Sequence, residues 1–441
     1  MPDDDRDRRP GGALALARRA PFSDNPKVGA RGQRTQQRIL DAALRAFGEE
    51  GYHGCSVEQI TTLARCSRVS FYQYFASKED VFGHLVGQVA RQLSASTEAL
   101  DPVGPDPAGW AGLRQWVARY GEIYTRYEPV FNAYQLAAHG DDALAAATWR
   151  GDESTAGIHA KLGATTLPPR QLDPVIGLLV EGLNHTLDVA GILRSLAKDG
   201  YPNERLEIAI TDVVHRTLFG VRPDVNVRPP SGSSPQRNLD RAALDLLQYD
   251  EHAIGSSRSR ALEALLESGR DVFVQRGYHN TRVDDLAAAA GVSHGVFYRY
   301  FDNKGGLARV LTARALQSIG NTLVELPDVA APEDPARSAA LRRWLRRYNA
   351  AHVNEAAMLR VWIDGALQDR TLTPEFAAPL EWGRRRLSRY LLARAFGDAG
   401  GDAEMDAVVL VALLGVFGPR PRPDAEVDAA AHIIERGLFG R

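Results

Sequence analysis

The sequence predicts an all-α protein made of two tandem copies of one plan, and three observations predict it. Apolar residues recur at helical spacing through most of the chain, with little of the alternation that marks a strand. A shift of 226 residues lays Gly277 to Lys304 on Gly51 to Lys78 without a gap, and Gly51, Tyr52, His53, Val57, Ala64, Ser67, Phe71, Tyr72, Tyr74, Phe75 and Lys78 all meet identical residues. A stretch rich in proline, glycine and serine, Arg222 to Arg237, lies between the copies and reads as a linker. Each copy is expected to hold an N-terminal three-helix unit followed by a helical bundle.

Residues 1–30 are rich in Asp, Arg, Gly and Pro without helical period, and read as a disordered extension. Residues 31–80 form the first three-helix unit. Ile39, Leu40, Ala43, Leu44 and Phe47 mark its first helix, and Gly51 stands where that helix should stop. A second helix opens at Ser56 or Val57 and buries Val57, Ile60 and Ala64. After a tight turn a third opens at Ser67, whose hydroxyl can cap free N–H groups. The second unit, residues 257–307, repeats this with Ser293 at the cap. The pattern is a helix-turn-helix. Its third helix sends Phe71 or Phe297 to the core and is expected to offer Tyr72, Tyr74 and Lys78, or Tyr298, Tyr300 and Lys304, outward. Hydroxyls, an ammonium and a helix N-terminus all suit phosphate, so the partner such a surface fits is double-stranded DNA.

These residues closely resemble the DNA-binding region of the TetR family of bacterial repressors, where a small-residue turn, an aromatic pair spaced YxYF and a following Lys mark the recognition helix. The second copy carries Thr281, Val283, Leu286, Ala287, Ala290, Gly291, Val292, Ser293, Tyr298, Tyr300, Phe301 and Lys304 in place. The first departs at its turn: Arg65 replaces the glycine, Cys66 the valine and Thr61 the small alanine. An arginine in a left-handed turn costs about 1 kcal/mol relative to glycine.

Where bases would be read the copies differ. The first offers Arg68, Ser70 and Gln73; the second offers His294, Gly295, Val296 and Arg299. Arg68 suits a guanine and Val296 a thymine methyl, so two unlike half-sites are expected. Arg31, Arg34 and Arg38 lead into the first unit, and Arg258 and Arg260 into the second, as basic arms for phosphate or as solvated helix starts.

Composition neither helps nor hinders this reading. With 441 residues, 44% hydrophobic and 24% charged, the chain has room for two to four domains of ordinary globular type. A net charge of −2 provides no general basic field, and each three-helix unit carries seven Lys or Arg against six Asp or Glu, so DNA binding must rest on placement. Two cysteines, Cys55 and Cys66, exclude a disulfide framework and imply a reducing, cytoplasmic setting. Cys66 reads as a small buried hydrophobe, with a redox switch as the alternative. No signal-peptide core is expected, and no apolar run of membrane-span length.

Residues 81–221 and 308–441 then read as helical bundles, with 222–256 as the linker and Leu239 to Tyr249 as a short helix in it. Tyr120, Tyr124, Phe131 and Tyr134 lie on an aromatic stripe that serves as core or, as the resemblance implies, lines a pocket for a small-molecule effector. In the apolar run Pro174 to Leu196, Glu181, His185 and Asp188 share one helical face. Glu181 and His185 are the candidate effector contacts; satisfaction across a helix interface is the competing reading, and no metal or other cofactor is expected. Trp344 and Tyr348 echo Trp116 and Tyr120, and Gly437 to Gly440 echoes Thr217 to Gly220, so the repeat covers whole halves.

No G-x-S-x-G, H-E-x-x-H, phosphate-binding glycine loop or C-x-x-C is present, and Ser195 to Lys198 matches S-x-x-K without a K-T-G partner, so no enzyme is expected. The resemblance implies a ligand-responsive repressor, with the two halves paired inside one chain in place of the family's homodimer, or a further homodimer of such chains. The alternatives are a regulator in which one helix-turn-helix binds DNA and the other half serves pairing, and a helical interaction module without DNA binding.

Overall fold

The computed structural model describes residues 29–138, 157–196, 201–220, 222–225, 260–327, 334–368, 373–393, 402–417 and 420–439. The N-terminal extension up to residue 28, most of the linker and its short helix Leu239 to Tyr249 lie outside these. The described residues are helical, with no strand beyond an isolated bridge between Val103 and Leu162. They divide into two compact units, Met1–Leu85 and Val86–Arg441.

The first unit holds α1 (Ala30–Gly54), α2 (Val57–Leu63), α3 (Arg68–Tyr74) and the start of α4 (Lys78–Glu98). Gly51 breaks the helical backbone at φ 71°, the left-handed region glycine enters freely. Ser56 caps α2, accepting from the Gln59 amide while the Gln59 side chain takes the Ser56 amide. Ile39, Phe47, Ile60, Phe71, Phe75 and Phe82 close the core. Cys55 is buried there, and burial pushes its thiol up to about 11. Burial likewise raises that of Cys66, against the pull of Arg38, which disfavours the thiolate a redox switch needs.

The second unit begins with the rest of α4, then α5 (Pro107–Ala138), α6 (Pro169–Leu196) and α7 (Asn203–Phe219). Tyr127 leaves helical geometry two residues before Pro129, which lacks the N–H a helix requires. Trp110 Nε1 donates to buried Asp212 of α7 at 2.8 Å, and Trp116 Nε1 to Thr97 Oγ1 at 3.3 Å. The second helix-turn-helix follows as α8 (Arg260–Asn280), α9 (Val283–Ala289) and α10 (His294–Tyr300). Its core runs on into the bundle: Met358 and Val361 of α12 (Pro335–Gln368) pack with Phe273, Leu286, Phe297 and Leu311. Arg270 adds an ion pair to Glu355 at 3.1 Å.

Between them, α11 (Lys304–Val324) packs on α12, and Trp344 Nε1 donates to Thr322 O at 2.8 Å, echoing Trp116. The chain ends in α13 (Thr373–Leu392), α14 (Ala403–Val416), α15 (Asp424–His432) and a π-helical turn, Ile433–Leu438. These last elements pack on α6 and α7 of the first half. The bonds across that junction are buried and polar. Arg205 grips Asp402 with two bonds of 2.7 and 2.9 Å and reaches Glu404 at 3.1 Å. Tyr201 donates to Glu381 at 2.6 Å, where Arg384 and Arg385 also bind. Burial works to raise the Glu381 carboxyl, but these donors outweigh it and hold it below the usual range.

Contrary to expectation, one helix is long and apolar enough to cross a membrane by length and composition: Pro169–Arg194 of α6. Its few charged residues interrupt the sequence without breaking the helix. In this fold α13, α14 and α15 pack against it.

Asp406 of α14 is buried at the same junction. Burial pushes its carboxyl up to about 7 from 3.8; Asp212 and Asp402 add to the rise, while Arg216, at 3.9 Å, and Arg222 oppose it. The folded chain therefore holds this proton more tightly than the unfolded chain does. Its contribution is fully present below pH 4 and is lost as pH rises through about 7. Asp406→Asn is expected to flatten this part of the pH–stability curve and to raise the midpoint of urea unfolding at pH 8; an unchanged pH slope would contradict the assignment.

Candidate nucleic-acid interface

The two recognition helices are built alike from their caps upward. Ser67 Oγ accepts from the Ser70 amide at 3.1 Å, and Ser293 Oγ from the Val296 amide at 3.4 Å. Each helix buries its phenylalanine, Phe71 or Phe297, and each ends where Phe75 or Phe301 returns to the core. The opposite face is open: Arg68, Tyr72 and Gln73 are exposed on α3, and His294, Gly295, Tyr298 and Arg299 on α10. Ser70, Tyr74, Val296 and Tyr300 are half-buried beside them. Arg34 on α1 and Arg260 at the start of α8 are exposed, as arms to a backbone require.

The turns differ as their sequences require. Gly291 takes φ 66°, and Arg65 is forced to 49°, the one non-glycine residue with positive φ among those described. Arg65 is exposed, and nothing lies within 4 Å of a Cβ placed at its counterpart Gly291, so what a side chain costs in this turn is its positive φ. Arg65→Gly is expected to stabilise the first unit by about 1 kcal/mol, a shift of a few degrees in its melting midpoint. A loss of stability would show that the arginine side chain outweighs its backbone.

Two expectations need correction. Lys78 and Lys304 do not offer their ammonium groups outward. Lys78 Nζ donates to Tyr52 O at 2.8 Å and Cys55 O at 3.0 Å, and lies 4.5 Å from the centre of the Tyr52 ring. Lys304 repeats this on Tyr278 O at 2.7 Å, Thr281 O at 3.0 Å and the Tyr278 ring at 4.6 Å. The carbonyls left over where α1 and α8 end attract the nearest cation, so each lysine fastens the start of the helix after the recognition helix, α4 or α11, to the first helix of its unit. His294 is also engaged: its Nε2 lies 2.6 Å from Asp284 Oδ1 of α9. That leaves Arg299 as the exposed arginine of α10.

One residue escaped the sequence reading. Val69, 73% exposed on α3, presents an apolar surface where the second copy has Gly295. Its signal was a β-branched residue off the face that Phe71 and Phe75 define. Val296, expected to reach a methyl group, is half-buried.

The effector candidates divide into two groups. Tyr120 donates to Asn184 at 2.6 Å and Tyr124 to Asp188, both on α6, while Phe131 lies 4.9 Å from the Tyr124 ring. Burial, and then Asp188, raise the Tyr124 hydroxyl well above its usual range. Tyr134 is on α5, but its side chain lies outside those described. Glu181 belongs elsewhere: it pairs with Arg422 at 3.1 Å and Arg420 at 3.9 Å of the second half, and His185 sits against Gly415 of α14. Glu181 thus lies at the junction between halves, where α14 and α15 pack on α6, while His185 lies between that junction and Asp188, 3.6 Å from its Oδ2. In the second half His352 occupies the place of Tyr124; burial pushes it down to about 4. Among the described residues no group of three or more His, Cys, Asp or Glu is placed to hold a metal ion.

Comparison with known proteins matches both helix-turn-helix regions, residues 39–85 and 265–311, to the family described as bacterial regulatory proteins, tetR family. Residues of this chain are 35% identical over 106 positions to the HTH-type transcriptional repressor NicS of Pseudomonas putida, covering 23% of this chain and 48% of that protein. An HTH-type transcriptional repressor of Mycobacterium tuberculosis is 30% identical over 145 residues, 33% of this chain and 70% of its own length. The transcriptional regulator AcuR of Cereibacter sphaeroides is 26% identical over 222 residues, 48% of this chain and 94% of its own length. A relative of ordinary length thus matches about half of this chain, as a doubled architecture requires. With the same three-helix unit matched twice, the chain belongs to the TetR family of bacterial regulatory proteins.

Proposed function

We infer that the chain is a DNA-binding transcriptional regulator, a repressor, that reads an operator of two unlike half-sites with its own two halves paired as a pseudo-dimer. The observation that carries this reading is the repeated recognition helix, capped by serine, followed by a lysine that ties the next helix back to the unit, and left open on the face that bears Arg68, Tyr72 and Gln73 or Tyr298 and Arg299. Relatives named as repressors support it, and so do the packed junction of α6 and α7 with α13 to α15 and the absence of catalytic motifs. A small-molecule effector, held in the first half beside Tyr120, Tyr124 and Phe131, releases the DNA. The regulator works in the cytoplasm, with residues 222–256 joining its halves.

The test is a titration of DNA from upstream of its own gene with Tyr72→Ala and Tyr298→Ala. Both substitutions weaken binding if both halves read DNA. Loss in one variant alone would mean that a single half reads DNA and the other serves pairing. Wild-type chain with no preference for any promoter fragment would contradict DNA reading altogether.

A further inference from the structure

The junction between halves is unlike on its two sides, and the difference falls where identical halves would have to meet. The shared ending, Thr217 to Gly220 and Gly437 to Gly440, sets a register of 220 residues, and the same register brings the end of α6 at Leu196 onto the end of α14 at Val416. In that register Arg205 corresponds to Ala425, Asp402 to Gly182, Glu404 to Asn184 and Thr217 to Gly437.

Thr217 and Gly437 face each other. A Cβ placed on Gly437 would lie 2.3 Å from Thr217 Oγ1 and 2.9 Å from Val213 O, so only glycine fits against this threonine. The backbones are bound together at the same point: Arg216 Nε donates to Gly437 O at 2.7 Å, and His432 Nε2 lies 3.1 Å from Thr217 O. Residues that correspond to each other and also touch mark the local two-fold of an isologous contact.

We propose that this junction is a pairing code: the α6–α7 face accepts the α13–α15 face of a second half and rejects another first half. Two first halves in this geometry would set Thr217 against Thr217, where not even one Cβ fits. Each buried Arg205 would then meet Gly182 and Asn184 in place of two carboxylates, and the Asn184 oxygen already takes the Tyr120 hydroxyl. Two second halves would set Asp402 and Glu404 against Ala425 and leave Gly437 facing Gly437. An uncompensated buried charge and a steric clash are the devices by which an interface excludes a wrong partner. A chain that carried two freely interchangeable faces would crosslink with its neighbours; this one closes on itself.

This inference rests on the pairing of the halves proposed above, and the test separates the two. Full-length chain carrying Thr217→Cys alone is treated with a short bis-maleimide beside full-length chain carrying Thr217→Cys with His432→Cys, which leaves Gly437 in place, and peptide mapping locates each link, apart from native Cys55 and Cys66. The double variant is expected to form a 217–432 link in most chains, visible as faster migration without the mass of a second chain; a link of the same two positions between two chains is the same pairing by exchange. The single variant is expected to give no 217–217 covalent dimer. A 217–217 dimer in high yield, with the double variant still linking, would overturn the code and leave the internal pairing standing. Absence of the 217–432 link in the double variant would overturn both.

Discussion

Replacing Arg205 with alanine is expected to destabilise the helical unit by about 3–5 kcal/mol, the range for removing one partner of a buried ion pair. Its side chain is 5% exposed and bonds two carboxylates across the junction, Asp402 and Glu404. Without it Asp402, 7% exposed, stays out of water with no cation, while Glu404 is only half-buried. The size of the effect comes from the charges left behind more than from the bonds lost, so Arg205→Ala combined with Asp402→Asn and Glu404→Gln should recover most of the loss. Urea unfolding of the full chain checks both results. Equal losses in the single and triple variants would mean that packing by the arginine stem, and not charge, holds the junction.

Operator binding should respond to the two exposed arginines at different positions. Arg68→Ala and Arg299→Ala are each expected to cost about 1–3 kcal/mol, a tenfold loss of affinity for every 1.4 kcal/mol, and to relax preference at one base pair each. On the proposed reading the two base pairs are expected in different half-sites. Val69→Ala should relax a further position in the Arg68 half-site alone, because Gly295 has no side chain to make that contact. Competition titrations with single-base-pair variants of the operator measure this. If either arginine contacts only phosphate, its loss weakens all sequences alike and lowers the salt slope instead.

What was legible in the sequence is what local chemistry decides. The three-helix units followed from periodicity, the breaks at Gly51 and Gly277 and the caps at Ser67 and Ser293, each settled within a few residues. The strain at Arg65 could be anticipated because a turn of this shape needs positive φ whichever residue fills it. The lysines were misread because their partners, carbonyls 23 and 26 residues back, become acceptors only once α1 and α8 have ended beside them. His294 was misread for a similar reason, since Asp284 looks like an ordinary first-turn acid until the turn folds it back.

Glu181 shows the limit most plainly. On its own helix it shares a face with His185 and Asp188 and invites a ligand, yet its partner Arg422 is 241 residues away. Nothing in the first half announces that pairing. The unlike chemistry of the junction was equally hidden: Arg205, Asp402, Thr217 and Gly437 are unremarkable one at a time, and gain meaning only when the 220-residue register and the packing of α6 and α7 on α14 and α15 are seen together. Sequence periodicity reports which face of a helix is buried, but not what buries it.

On the proposed pairing, one chain carries both halves of a DNA-reading dimer. The mass of the purified chain in solution and then on its operator, at two salt concentrations, tests this. One chain free, one chain per operator, and binding that weakens steeply as salt rises are expected. Two chains on every operator, each contributing one recognition helix, would contradict it.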